Sequence, residues 1–303
     1  MICEIAPAKI NLTLEILGKR KDGFHDIKSI MQTIDLCDVL TFWENKWVHI
    51  VPEYGSLPGH DTLSSMDRYN YMGENLVYRA ARTLKEAAGY KGGALIQLKK
   101  NIPSSAGLGG GSSDAAAALK GLNRLWQLGL SDSDLIEIGA TIGSDIAFFI
   151  HGGTCLIEGR GEIVRPIKAL QQKWVLILLV PLKLDQKTKR LYSYIDSSYY
   201  TRGAKTEELC SSINDHQENN TDQPCRIRRS LFNVFEKVYH NGYEEFKAWK
   251  THIAGLNIEG LNLAGSGPAV YYISDSEDEL LRIADQYGSS RENMNKYIAR
   301  TVP

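Results

Sequence analysis

From Ile10 to Ile16 apolar and polar residues alternate without a break, the period of a β-strand that buries one face. Lys9, Asn11, Thr13 and Glu15 then share the opposite face. A second period begins at Ala115, where Leu119, Leu122 and Trp126 follow at offsets of four, seven and eleven and mark the apolar stripe of a helix. Its natural N-cap is Ser112 or Ser113, with Asp114 in the first turn. Leu76, Ala80 and Leu84 define another helix over residues 74–85, and Ser131-x-x-Asp134 reads as the capping pattern of one over residues 131–143. Residues 174–180 are apolar throughout and stop at Pro181, as in a strand buried on both faces. Helices follow through Phe232, Phe235, Val238 and Tyr239, and again over residues 246–253.

Other stretches are less regular. Residues 39–43 and 47–51 read as two strands paired around a polar turn, and residues 54–73 as a surface excursion. Residues 192–223 are rich in Ser, Asn, Asp and Thr, most densely over 214–222, which predicts a mobile loop. At 303 residues the chain is long enough for two domains, and the expected junction at residues 164–166 divides it into 1–166 and 167–303.

Candidate chemistry concentrates just before the helix at Ala115. Pro103, Ser104, Ser105, Ala106, Gly107, Leu108, Gly109, Gly110, Gly111, Ser112 and Ser113 form a run of small residues feeding a helix N-terminus. Such a turn aims several backbone N–H groups, and the positive end of the helix dipole, at one spot suited to phosphate. The run matches neither common glycine motif. No lysine follows it as in a Walker loop, and Ser112 stands where the third glycine of a dinucleotide fingerprint belongs. The plain alternative is a flexible loop capped by serine.

Composition narrows the class. Hydrophobic content of 43% and charged content of 23% are those of a globular protein, and a net charge of −1 leaves no basic excess for nucleic acid or an anionic membrane. Five scattered cysteines without a Cys-x-x-Cys pair read as reduced thiols. Glu4, Lys9 and Glu15 interrupt the first 20 residues, so neither an apolar leader nor a membrane span is expected there, and a cytoplasmic location is.

Three shorter stretches carry further candidates. Asp145 follows Gly143 and Ser144 and precedes an apolar segment, which poises its carboxylate to be partly buried; spacing alone fits a catalytic acid or a second helix cap about equally. Gly265, Ser266 and Gly267 make a tight turn ahead of a strand, and Asp22, Gly23, Phe24 and His25 a hairpin turn.

In order along the chain, residues 7–12, 103–113 and 263–273 resemble the three signatures of the GHMP small-molecule kinases, the superfamily of galactokinase, homoserine kinase and mevalonate kinase. The resemblance implies an α+β two-domain fold, with an N-terminal domain like the second domain of ribosomal protein S5 and a ferredoxin-like C-terminal domain. It implies ATP and Mg2+ as cofactors, the glycine run holding the phosphates and Ser112 or Ser113 reaching the metal. Lys9 would lie near the reacting hydroxyl. Asp145 would be the catalytic base, since residues 143–149 resemble the family's Gly-Ala-Asp-Val-Pro-Phe-Phe. Asn75 and Lys100 would lie near the adenine, with a helix cap and a surface charge as their ordinary alternatives. Asn11, Gly265, Ser266 and Gly267 would contact the substrate.

The turn at Asp22–His25 resembles the Asp-Gly-Tyr-His turn of one branch, the 4-diphosphocytidyl-2-C-methyl-D-erythritol kinases. There the aromatic ring stacks on cytosine and the histidine hydrogen-bonds the base. Phe24 in place of tyrosine keeps the stacking surface and lacks the phenol hydroxyl. The implied activity is ATP-dependent phosphorylation of the 2-hydroxyl of a substrate bearing a cytidine diphosphate group. Another kinase of the superfamily, acting on homoserine, mevalonate or a sugar, would not need Phe24 and His25. A non-catalytic nucleotide-binding protein on the same fold would have lost Lys9 or Asp145. A Rossmann oxidoreductase is disfavoured, because the glycine run lies about 100 residues in, beyond the first strand–helix unit.

Overall fold

A computed structural model describes residues 1–54, 75–180, 182, 186–214, 223–241, 243–290 and 295–303. The chain divides into two compact units, the first of Met1–Ala8, Leu36–Ser104 and Gly109–Gly152, the second of Lys9–Asp35, Ser105–Leu108 and Gly153–Pro303. Two long strands serve both units: β1 (Ile2–Lys19) divides at Lys9, and β2 (His25–Asn45) divides at Leu36.

The first unit continues with β3 (His49–Tyr54), α1 (Leu76–Ala87), β4 (Gly93–Lys100), α2 (Gly110–Leu125), α3 (Asp132–Ala140) and α4 (Ile146–His151). The strands at 39–43 and 47–51 do not pair with each other as expected. β4 lies between them, antiparallel to β2 from Val39↔Lys99 to Asn45↔Gly93 and parallel to β3 from His49↔Leu95 to Tyr54↔Lys100. Period-2 patterning identifies a strand but not its partner, and β4, with Ala94, Ile96 and Leu98 buried, satisfies the backbone of both. Asn75 caps α1 by accepting the Val77 N–H at 2.8 Å, and Ser131 and Asp134 form a reciprocal capping box on α3.

The expected cap of α2 is corrected. Its N-cap is Gly109, in the left-handed region at φ +75°, and Ser113 donates its N–H to the Gly109 carbonyl at 2.9 Å. Ser113 and Asp114 are therefore inside the helix and buried. The apolar stripe marks the face of this helix and not its first residue; the left-handed glycine turns the chain into it before either serine is reached.

The second unit adds β5 (Thr154–Glu158), β6 (Ile163–Pro166), β7 (Trp174–Leu178), α5 (Lys187–Ser193), α6 (Ala204–Asn214), α7 (Gln223–Ser230), β8 (Phe232–Asn233), α8 (Val234–His240), α9 (Lys247–Ala254), β9 (Asn262–Leu263), β10 (Val270–Ser274), α10 (Glu277–Ser290) and β11 (Lys296–Arg300). Its antiparallel sheet has the order β11-β7-β10-β9, so the first and last strands of the unit's β-α-β-β-α-β run are neighbours, as in a ferredoxin-like fold. β7 is internal to that sheet, and Val175–Leu178 are fully buried, as their unbroken apolar run requires.

Residues 192–223 do not form one loop. They include the end of α5 and all of α6, where Thr206, Leu209 and Ile213 recur at helical spacing on a buried face that polar neighbours mask in the sequence. Of the densest polar part, 214–222, all but Asn214, and of the excursion at 54–73 all but Tyr54, lie outside the described residues.

β1 departs from its pattern in an informative way. In the second unit its polar face is as buried as its apolar one: Lys9, Asn11, Thr13 and Glu15 are at most 4% exposed. α6 supplies polar partners for that face, the Thr206 N–H donating to Glu15 Oε2 at 2.8 Å and the Thr206 and Thr13 hydroxyls lying 2.9 Å apart. Alternation alone cannot distinguish a solvated polar face from one buried against polar groups.

Candidate active site

Lys9 is the centre of a cluster in the second unit. Its ammonium donates to Asn11 Oδ1 at 2.6 Å, Asn11 Nδ2 donates to Ser29 Oγ at 2.9 Å, and Ser29 Oγ donates in turn to the Thr13 carbonyl. The Lys9 backbone N–H donates to the Leu108 carbonyl at 2.9 Å, which ties β1 to segment 105–108. That segment meets the Gly265–Gly267 turn so closely that a Cβ on Gly265 would lie 2.8 Å from Lys9 Nζ and 2.7 Å from the Gly107 carbonyl oxygen. The turn is held from behind. Asn233 Nδ2 donates to the carbonyls of Leu263 and Gly265 at 2.9 and 2.7 Å, and Tyr239 donates to that of Ser266 at 3.0 Å. Lys9, Asn11, the 105–108 segment and the turn at 265–267 are thus brought together from three separate stretches.

Lys187, in the first turn of α5, joins this cluster and was not expected. Its ammonium is buried and donates to the Ser105 carbonyl at 2.8 Å, while Thr188 Oγ1 lies 3.0 Å from Ser266 Oγ. Burial first, then the charge of Lys9, pulls its pKa down to about 7. Nothing in the sequence separates Lys187 from Lys183 and Lys189 around it; it is the fold that places Lys187 beside Ser105.

A second cluster of this unit surrounds the turn at Asp22–His25. The His25 imidazole stacks on Tyr192, with centroids 5.2 Å apart, and meets Tyr200 edge-on at 6.4 Å. Its Nε2 is buried without a hydrogen-bond partner. Burial, assisted by the charge of Lys19, lowers its pKa, so the ring is neutral at pH 7. Phe24, 52% exposed, offers its ring outward beneath the Arg160 guanidinium, 5.2 Å from the centroid. Tyr192 and Tyr200 sit at the edge of the stretch read as a mobile loop, which hid them.

In the first unit, α2 begins at Gly110, so the N–H groups of Gly110, Gly111 and Ser112 have no partner within the helix. Ser113 Oγ is buried with no hydrogen-bond partner, and Ser112 is half-buried beside it in the first turn. Among the described residues no three His, Cys, Asp or Glu side chains group to hold a metal. A cation held mainly by phosphate oxygens, as Mg2+ commonly is, needs only one or two ligands from the protein, and the two serine hydroxyls fit that requirement.

Lys100 is not a surface charge. It is buried and ion-paired with both Asp38 and Asp114, the latter at 2.6 Å, and a Cβ on Gly110 would lie 3.4 Å from its nitrogen. Asn75 forms the helix cap already described. Asp145 is half-buried and stands at the N-cap position of α4, as the cap alternative expects, but its side chain makes no capping hydrogen bond there. Pro103 is buried and Ser104 exposed at the entry to the glycine run.

The GHMP kinases N terminal domain profile matches residues 75–153. The chain is 38% identical over 276 residues to the 4-diphosphocytidyl-2-C-methyl-D-erythritol kinase of Dehalococcoides mccartyi, covering 89% of this chain and 88% of that protein. It is 36% identical to the enzyme of the same name from Geobacillus thermodenitrificans, covering 92% and 90%. A crystal structure of 4-(cytidine 5'-diphospho)-2C-methyl-D-erythritol kinase superposes with a TM-score of 0.74 at 26% identity over the full length of both chains. The mevalonate kinase of Methanococcus jannaschii, at 16% identity and a TM-score of 0.65 over 100% of this chain and 98% of that one, shares the fold. No helix among the described residues is long and apolar enough to cross a membrane. With three signatures in order, the Asp22–His25 turn and relatives above one-third identity along most of its length, the chain belongs to the 4-diphosphocytidyl-2-C-methyl-D-erythritol kinases of the GHMP superfamily.

Proposed function

We propose that this protein transfers the γ-phosphoryl group of ATP to the 2-hydroxyl of 4-diphosphocytidyl-2-C-methyl-D-erythritol, giving the 2-phosphate and ADP, in the cytoplasmic non-mevalonate route to isoprenoid precursors. The observation that carries the substrate assignment is the buried, unpaired Nε2 of His25 in its tyrosine-walled recess. A buried imidazole nitrogen left unpaired costs stability unless a ligand pairs it, and a pyrimidine edge supplies both hydrogen-bonding groups and a flat face for Phe24.

The roles follow from charge and hydrogen bonding. Asp145 accepts the proton of the attacking hydroxyl. Lys9, oriented by Asn11, stabilises the oxyanion that develops there. The backbone N–H groups at the start of α2 hold the nucleotide phosphates. Mg2+, reached by Ser112 or Ser113, offsets phosphate charge. Asn75 and Lys100 border the adenine side. Lys100 does so through the N-terminal turn of α2 that it underlies, since its ammonium is committed to Asp38 and Asp114. With no phosphoenzyme residue required, transfer is direct and in line.

The deciding experiment is a coupled ADP-release assay over a panel of alcohols with and without a cytidine diphosphate group. Turnover confined to the cytidylated methylerythritol, inhibited by CMP or CDP, is expected. Turnover of homoserine, mevalonate or a sugar with no such inhibition would replace this reading with that of another kinase of the superfamily.

A further inference from the structure

The glycine run lacks a lysine of its own, yet the fold brings one to it from about 80 residues downstream. Lys187 reaches the Ser105 carbonyl at 2.8 Å, and the adjacent Thr188 pairs with Ser266, so the first turn of α5 is fixed at two neighbouring points against segments 105–108 and 265–267. A buried ammonium is costly without a counter-charge. Among the described residues none of the ion pairs supplies one to Lys187, and the nearby charge of Lys9 repels it. This contrasts with Lys100, which is paired with Asp38 and Asp114. A buried ammonium whose contact with the loop is one neutral carbonyl leaves a local electrostatic deficit that an anion fills.

We propose that Lys187 is a phosphate-binding residue of this kinase, its ammonium contacting the polyphosphate tail of the bound nucleotide and supplying the charge that a lysine within the loop provides in Walker-type sites. The proposal deepens the reading of segment 103–113 as a phosphate loop and rests on it. Bond making and breaking are unchanged: Lys187 neither donates nor accepts the transferred group. Thr188 and Ser105 set its position, and its proton, held weakly in the free protein, is retained more strongly once phosphate arrives.

The test uses the full chain and three probes, inorganic tripolyphosphate, adenosine and CMP, titrated by calorimetry. Lys187→Gln preserves a donor to the Ser105 carbonyl and removes the charge; Lys187→Arg restores charge. The expected result is a loss of tripolyphosphate affinity of about tenfold or more in Lys187→Gln, the size of a lost charge-assisted hydrogen bond, with partial recovery in Lys187→Arg and with adenosine and CMP binding unchanged. Unchanged tripolyphosphate affinity overturns the proposal. So does an equal loss of all three probes, or failure of Lys187→Gln to give a cooperative melt, since each makes the lysine structural. Because no alcohol substrate is used, failure of the substrate assignment leaves this result intact. Failure of tripolyphosphate to bind the unsubstituted protein would instead remove the phosphate-loop reading, and this proposal with it.

Discussion

The Lys9 ammonium and the Asn11 carboxamide oxygen lie 2.6 Å apart on one face of β1, and Asn11 cannot turn away because its Nδ2 is committed to Ser29. The amide is therefore oriented with its acceptor toward the lysine, and the lysine is aimed by it. Lys9→Met should lower kcat by roughly 10²- to 10³-fold, the range for removing one preorganised stabiliser of developing charge. Asn11→Ala should cost about tenfold in kcat through loss of aim. Steady-state kinetics with ATP saturating would check both. A Lys9→Met enzyme with near-normal kcat would remove the lysine from the chemistry.

Asp145→Asn separates catalysis from folding. The side chain caps no helix, so the variant should melt within about 0.5 kcal/mol of the unsubstituted protein. Turnover should fall by roughly 10²- to 10⁴-fold with binding of both substrates retained. Retained turnover in a folded variant would withdraw the base assignment.

The elements legible in the sequence were those whose period is unbroken, namely the apolar run of β7, the stripes of α1 and α2 and the capping box of α3. What hid was anything defined by a partner. Alternation located β1 but not the covering of its polar face by Thr206, and Val39–Trp43 announced a strand without announcing β4 as its mate. The candidate residues divide the same way. Contiguous motifs named Lys9, the glycine run, Asp145 and the Gly265–Gly267 turn. Lys187, Tyr192 and Tyr200 carry no local signature, because a lone lysine or tyrosine acquires meaning only from what lies across from it.

His25 should govern affinity for the cytidine end alone. His25→Ala should raise KM for the cytidine diphosphate substrate about 10- to 100-fold and leave KM for ATP unchanged, while Phe24→Tyr should stay within about threefold on both. Since the folded-state pKa of His25 is depressed, its contribution to stability is present above its ordinary pKa of 6.5 and is lost as pH falls through the lowered value. Acid and not alkali should therefore weaken substrate binding at this ring. An equal rise in both KM values on His25→Ala would argue against base recognition.

Lys100 faces two buried carboxylates that differ in their other partners. One Asp38 oxygen accepts the N–H groups of Asn101 and Ile102 at 2.5 and 2.8 Å, whereas Asp114 Oδ1 has no partner. Burial pushes Asp114 up to about 8, so the cluster holds a proton there at neutral pH. Folded protein keeps that proton from about pH 4 to about pH 8 while the unfolded chain releases it, so stability falls with rising pH across that window. In thermal melts, the Tm of Asp114→Asn relative to the unsubstituted protein should become more favourable from pH 5 to pH 8. Asp38→Asn should destabilise by about 3 kcal/mol at both pH values. A relative Tm for Asp114→Asn that does not move with pH would mean the proton resides elsewhere.

Two glycines of the loop separate backbone strain from side-chain bulk. Gly107 has φ +88°, and a Cβ there would overlap the Ala264 carbonyl oxygen, which belongs to the backbone and cannot move aside. Gly111 has ordinary helical φ, and its nearest contact for a new Cβ is Leu76 Cδ1 at 3.5 Å. Gly107→Ala should therefore cost about 1–3 kcal/mol and separate segment 105–108 from the 265–267 turn, weakening ATP binding and turnover together. Gly111→Ala, inside the first turn of α2, should gain a few tenths to about 1 kcal/mol from reduced freedom of the unfolded chain. It keeps the backbone N–H groups in place, so its KM for ATP should change little. Chemical denaturation paired with KM for ATP distinguishes the cases. A Gly107→Ala protein of unchanged stability and affinity would show that the contact with Ala264 is not needed to hold the loop.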